Sequence, residues 1–108
     1  MLLIETRAAV ENIESICQVQ GVDCVMIASY DLSTDLGVPG RFDAPEFRDA
    51  VTHLESVILA AGVPLGGVGF TRDQTGELLK RGYQLPLHGC DVLMLAGMVR
   101  QTDEWRRR

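Results

Sequence analysis

The sequence predicts an α/β fold of four parallel strand–helix units, on three observations. Short continuous apolar runs of strand length alternate with longer segments whose apolar residues recur at helical spacing. Glycines at positions 21, 62 and 82 follow the helical segments, where a helix stop is favoured. Strands that alternate with helices pair in parallel through right-handed crossovers. The chain has 108 residues, enough for a single domain whose units run over about residues 1–20, 21–62, 63–82 and 83–108.

Leu2-Leu3-Ile4 reads as a short buried strand. Over residues 8–18, Ala9, Val10, Ile13, Ile16 and Cys17 recur at helical spacing, which predicts one helix. Cys24-Val25-Met26-Ile27-Ala28 is a second buried strand, followed by a long loop over residues 29–43 that contains Gly37, Pro39 and Gly40. Long ordered loops tend to carry function. Asp43, with Glu46 three residues later, forms a capping-box pattern before a helix whose core stripe is Phe47, Val51, Leu54, Ile58 and Ala61. Leu65-Gly66-Gly67-Val68-Gly69 is a third strand whose glycines imply a bend or a close backbone approach. Thr71 and Gln74 repeat the capping pattern ahead of a short helix. Residues 83–87 form a fourth strand interrupted by Pro86, and Asp91 opens a last helix.

The formal net charge of −5 excludes the basic stripe of a nucleic-acid interface. The basic run Arg106, Arg107 and Arg108 reads as a solvated helix terminus that complements the helix dipole. Cys17, Cys24 and Cys90 are odd in number and lack CxxC spacing, which points to buried or free thiols in a reducing cytoplasm. No apolar run is long enough to span a membrane. The N-terminus lacks a basic region ahead of its apolar run and so does not read as a signal peptide.

Four units build either a small open sheet or half of an eight-stranded barrel. A half barrel leaves two parallel edges unpaired and one apolar face bare. It therefore predicts association, with a second copy or with a separate N-terminal half.

In parallel α/β folds, sites form at the C-terminal ends of strands. Glu5 directly follows the first strand and Asp31 lies three residues beyond the second. Neighbouring parallel strands lie ~4.8 Å apart, so the two carboxylates can converge on one divalent ion such as Mg²⁺ or Mn²⁺. The ordinary alternative pairs Glu5 with Arg7 and makes Asp31 a turn cap. His53 reads as a mid-helix surface residue and His88 as a structural residue near the last strand end. Gly66, Gly67 and Gly69 fit strand packing better than a phosphate cradle.

Several blocks resemble one enzyme family. Leu2-Leu3-Ile4-Glu5-Thr6-Arg7 is similar to a strand that ends in Glu-Thr before a helix. Gly21-Val22-Asp23, Asp31-Leu32-Ser33 and Leu36-Gly37-Val38-Pro39-Gly40 are similar to the following block, and Gly82 with Gly89-Cys90-Asp91-Val92 to the turn into the final helix. Together they resemble the C-terminal half of the metal-dependent class II pyruvate aldolases, the family of 4-hydroxy-2-oxoheptanedioate aldolase, 2-dehydro-3-deoxyglucarate aldolase and macrophomate synthase. The resemblance implies the C-terminal half of a (β/α)₈ TIM barrel and a lyase that splits 4-hydroxy-2-keto acids into pyruvate and an aldehyde. It implies Glu5 and Asp31 as ligands of a divalent metal, and Ser29 and Tyr30 as the place where the substrate carboxylate is held.

The sequence departs from the family at two of these places. Ala28-Ser29-Tyr30 stands where Gly-Pro and a small residue are usual, and Leu3 where a Gln is common. The family's catalytic His and Arg belong to the N-terminal half, which this chain lacks. Three readings therefore stand beside one another: a lyase completed by a second chain, a non-catalytic half barrel that binds a metal, keto acid or protein, and an unrelated flavodoxin-like binding domain.

Overall fold

Leu2, Val25 and Leu65 lie side by side in register across three strands of one sheet. In the computed structural model, which describes residues 1–107, the chain runs β1 (Leu2–Ile4), α1 (Arg7–Glu11), α2 (Ile13–Cys17), β2 (Val25–Ile27), α3 (Ser29–Asp35), α4 (Pro45–Ala60), β3 (Leu65–Gly69), α5 (Arg72–Lys80), β4 (Leu85–His88) and α6 (Asp91–Arg106). The strands pair in sequence order, β1-β2-β3-β4, and every pairing is parallel. Right-handed crossovers that always step the same way place their helices on one face of the sheet. This is the winding of a barrel. A flavodoxin-like sheet reverses its strand order, so that reading is excluded.

The one-sided arrangement divides the strand residues. Ile4, Val25, Ile27 and Leu65 face the helices and are at most 2% exposed. Ile13, Leu32, Leu54 and Ile58 complete this core from the helix side. By strand alternation Leu3, Met26, Gly66, Val68, Leu85 and Leu87 share the opposite face. Leu3, Leu85 and Leu87 on that face remain 48%, 39% and 40% exposed. The last helix is bare as well: Val92, Leu95 and Val99 are each 67–68% exposed and α6 buries no residue.

Helix ends follow one device. After α3, α4 and α5 the chain turns through Gly37, Gly62 and Gly82, with φ of +82°, +69° and +93°. In each case the next N–H bonds back into the helix: Val38 to Ser33, Val63 to Ile58 and Tyr83 to Leu78. A left-handed backbone at these positions is what selects glycine.

The strand glycines are packing residues. A β-carbon on Gly67 would meet the Tyr83 ring at 2.6 Å, and one on Gly69 would meet Thr75 Oγ1 at 2.5 Å. Tyr83 is buried, and its hydroxyl donates to Glu55 Oε1 at 2.6 Å. Glu55 also pairs with Arg81.

Four local expectations are corrected. The helix expected over residues 8–18 is two short helices broken at Asn12, whose Nδ2 donates to the Ala8 carbonyl at 2.8 Å and competes with the helix ladder. The expected 29–43 loop begins with helix α3, in which Ser33 and Thr34 hydroxyls both donate to the Tyr30 carbonyl at 2.8 Å. Helix α4 is capped by Ala44 with Pro45 at its first position, not by Asp43, because proline's fixed φ and missing donor suit that place. Asp91 is the first residue of α6 rather than its cap, which is Cys90. The Thr71 cap forms as expected, accepting from Gln74 N at 3.2 Å, while Gln74 Oε1 accepts from Phe70 N. Arg106 and Arg107 pair with Asp103, and Arg108 lies outside the described residues.

Two measurements check this packing. Gly67→Ala drives a methyl into a buried ring and should cost about 1–3 kcal/mol in urea unfolding, with the loss relieved in part by Tyr83→Leu. Burial first, and then the bond to Glu55, push the Tyr83 phenol well above its ordinary value. The folded chain therefore keeps the proton that the unfolded chain releases near pH ~10. Stability from this group is complete below that pH and falls above it. The urea midpoint of the wild type should drop between pH 9.5 and 11 more than that of Tyr83→Phe.

Candidate active site

The C-terminal ends of β1 and β2 lie side by side, because Ile4 pairs with Ile27 and the Ala28 N–H donates to the Ile4 carbonyl at 3.1 Å. Glu5 leaves the first of these ends. Asp31 sits in the first turn of α3, which begins two residues after β2. The two carboxylates line one open concavity together with Thr6, Thr34 and Asp35.

Three of these five residues are committed to local structure. Thr6 caps α1 by accepting from Ala9 N at 3.1 Å, and Thr34 donates to the Tyr30 carbonyl. Asp35 Oδ2 accepts the Arg7 N–H at 2.7 Å, which ties the exit of β1 to the end of α3. Among the described residues Glu5 and Asp31 make no hydrogen bond or ion pair, so the alternative pairing of Glu5 with Arg7 is not formed. Both are exposed. Two unpaired like charges facing one space repel each other, and a shared cation relieves that repulsion.

Hard carboxylate oxygens on exposed side chains suit a divalent ion that keeps most of its water. Among the described residues no group of three or more His, Cys, Asp or Glu is placed to hold a metal. Glu5 and Asp31 thus offer two carboxylates, fewer than a closed metal-binding group.

Ser29 and Tyr30 stand elsewhere. Ser29 is the first residue of α3 and lines a separate cavity of about 350 Å³ walled by Phe42, Phe47, Phe70 and Leu78. The Tyr30 ring packs edge-on against Phe42 and Phe70, with centroids 5.0 and 5.6 Å away, and does not line the carboxylate concavity. Helix α3, which opens with these two residues, has no side-chain cap at its N-terminus.

His53 is exposed on α4. His88 turns away from the concavity, its Nδ1 lying 3.1 Å from Thr75 Oγ1 of α5. Asp35 and Thr34 were not singled out from sequence. Their signal is the i+4 and i+3 spacing from Asp31, which places them on one helical face once residues 29–35 are read as a helix.

An exposed acidic pair at adjacent ends of sequentially wound parallel strands defines a site of the (β/α)₈ barrel class, here the C-terminal half of that barrel. Residues 1–97 match the family described as HpcH/HpaI aldolase/citrate lyase, and the chain belongs to that family. It is 35% identical over 96 residues to the hydroxypyruvate/pyruvate aldolase of Agrobacterium fabrum, an alignment that covers 89% of this chain and 36% of that protein. The solved HpcH/HpaI aldolase of Desulfitobacterium hafniense superposes with a TM-score of 0.88 at 30% identity, covering 99% of this chain and 42% of that one. A family structure from Burkholderia cenocepacia gives a TM-score of 0.91 at 26% identity and the same coverage. The chain thus spans about two fifths of the length of the relatives it matches. No helix among the described residues is long and apolar enough to cross a membrane.

If Glu5 and Asp31 share one ion, titration calorimetry with Mn²⁺ should give one site per chain. Glu5→Ala and Asp31→Ala should each abolish its heat, while Asp35→Asn, already held by Arg7, should reduce it less. Equal heat in all four proteins would show that the pair does not bind metal.

Proposed function

We propose that this chain is the metal-holding half of a lyase that cleaves 4-hydroxy-2-keto acids to pyruvate and an aldehyde. The observation that carries the reading is the shared concavity of Glu5 and Asp31 at the strand ends, in a chain of the aldolase family. The names of the relatives support the reaction class: one is a hydroxypyruvate/pyruvate aldolase and another a 4-hydroxy-2-oxovalerate aldolase.

Glu5 and Asp31 would hold Mg²⁺ or Mn²⁺. When bound, that ion supplies Lewis-acid stabilisation for negative charge that develops on the 2-keto oxygen as the carbon–carbon bond breaks. The chain's own part is positioning. Asp35, through the Arg7 N–H, fixes α3 against the exit of β1 and so sets the spacing of the two ligands. The uncapped first turn of α3 presents the N–H groups of Ser29 and Tyr30, a donor set that suits the substrate carboxylate. Neither histidine lines the concavity, and its third carboxylate, Asp35, is tied to the Arg7 N–H, so with Glu5 and Asp31 on the metal the proton-transfer group would come from outside these five residues. The active unit is therefore a completed barrel, formed with a second copy or with a complementary N-terminal half. The three free cysteines suit the reducing cytoplasm.

A second reading follows from that same gap. With Glu5 and Asp31 given to the metal and Asp35 to the Arg7 N–H, the chain alone would be a non-catalytic half barrel that binds metal, keto acid or protein. The two readings separate in one assay. Pyruvate release from 4-hydroxy-2-keto acids, followed with a coupled dehydrogenase in the presence of Mg²⁺ or Mn²⁺, should appear only in the completed barrel. It should fall by about 100-fold or more in Glu5→Gln and Asp31→Asn, the loss of several kcal/mol of charge stabilisation. Turnover that is indifferent to both substitutions, or absent from the completed barrel, would reject the lyase.

A further inference from the structure

Arg48 has no acidic partner on its own helix. The positions three and four residues away hold Ala44, Pro45, Val51 and Thr52. Among the described residues its side chain makes no hydrogen bond or ion pair. It lines a cavity of about 320 Å³ between α4 and α5, together with Thr52, Arg81, Phe42, Phe47 and Val51. Arg81, the C-cap of α5, is held in place from behind. Glu55 takes one of its amino groups, and its guanidinium carbon lies 5.9 Å from the centre of the Tyr83 ring. A guanidinium carries five N–H donors in a rigid fork, so this pairing leaves others free. Neither Glu55 nor Tyr83 lines the cavity. Glu77, one turn before Arg81, pairs with Lys80 and, with Asp73, lines the neighbouring aromatic cavity instead.

We infer that this cavity binds a small organic carboxylate with an apolar body, its head between Arg48 and Arg81 and its body against Phe42, Phe47 and Val51. Two guanidinium groups and a hydroxyl line one space that no carboxylate lines, in a chain whose net charge is −5. Two like charges facing one space repel, and a shared anion relieves the repulsion. Planar forks match a carboxylate, which accepts two parallel N–H bonds from each. The rest of the lining is apolar, and Phe47 and Val51 are buried, so the head alone would leave that surface wet. The volume lies at the small end of ligand pockets and suits one ring or a short branched chain. With no carboxylate in the lining to receive an ammonium, the cavity favours an acid without an amine over an amino acid. It shares no lining residue with the concavity of Glu5 and Asp31, so it is a second site that needs neither the metal nor the lyase reading.

The test titrates the full chain with 3-phenylpropionate, in chelator and without a divalent ion, by calorimetry and by amide chemical shifts. One site per chain should appear, with the largest shifts over residues 47–52 and at Arg81. Acetate, which has the head without the body, and 3-phenylpropionamide, which has the body without the charge, should each bind at least tenfold more weakly. Phenylalanine, which adds an ammonium, should also bind more weakly. Arg48→Gln, at an exposed helix position, should weaken 3-phenylpropionate tenfold or more with the circular dichroism unchanged, and Arg48→Lys should restore part of the loss. Arg81→Gln would also release Glu55, so Arg48 carries the test. Binding matched by acetate, by the amide or by phenylalanine would overturn the inference. So would binding that survives Arg48→Gln, shifts centred on Glu5 and Asp31, or no saturation below about 10 mM.

Discussion

Strand order is the constraint from which the rest of the molecule follows. Each crossover steps to the next strand in the same direction, so the handedness rule sends every helix to one side. Ile4, Val25, Ile27 and Leu65 are sealed under those helices, while Leu3, Leu85 and Leu87 are left open on the other face. The same winding makes the ends of β1 and β2 neighbours, which brings Glu5 and Asp31 to one concavity. The acidic pair and the open apolar face therefore have a common origin.

Within that frame, glycine acts in two distinct ways. At Gly37, Gly62 and Gly82 it supplies a left-handed turn that ends a helix. At Gly67 and Gly69 the backbone is unremarkable, and what matters is the absence of a side chain under Tyr83 and Thr75. A strand poor in packing atoms is thereby filled from outside: the Tyr83 ring occupies the space and its hydroxyl ends on Glu55, held in turn by Arg81. The low strand propensity of Leu65-Gly66-Gly67-Val68-Gly69 is offset by tertiary contact, as strand propensities often are.

What the sequence made legible divides along the same line between local and tertiary cause. Apolar runs located all four strands, and β3 spans the run read from sequence, because a strand sealed under helices must be continuously apolar. The Gly62 and Gly82 stops were legible because their reason is local. Helix α3 was not: Ser29, Asp31, Ser33, Thr34 and Asp35 are weak helix formers, and the turn is held by burial of Leu32 and by hydroxyls that bond back to Tyr30. Missing that helix hid Asp35, whose carboxylate shares a face with Asp31 only when the segment is coiled. Glu5 and Asp31 were legible through the rule that sites gather at strand ends. Their freedom from Arg7 and from turn capping was not, since it depends on where Asp35 reaches.

The two departures from the family pattern bear on one electrostatic point. Tyr30 stands where a small residue is usual, yet its ring is held by Phe42 and Phe70 and leaves the concavity clear. Leu3 stands where an amide is common, and it adds an apolar group to the bare face below the carboxylates. Exposed as they are, Glu5 and Asp31 attract a cation only through a water-screened field. In the proposed closed barrel, covering the face that carries Leu3 would remove water from beneath them and raise the strength of every charge interaction at the rim. In the proposed metal-holding barrel, closing the sheet and tightening the ion would be one process, because the apolar face that drives the first sets the dielectric for the second.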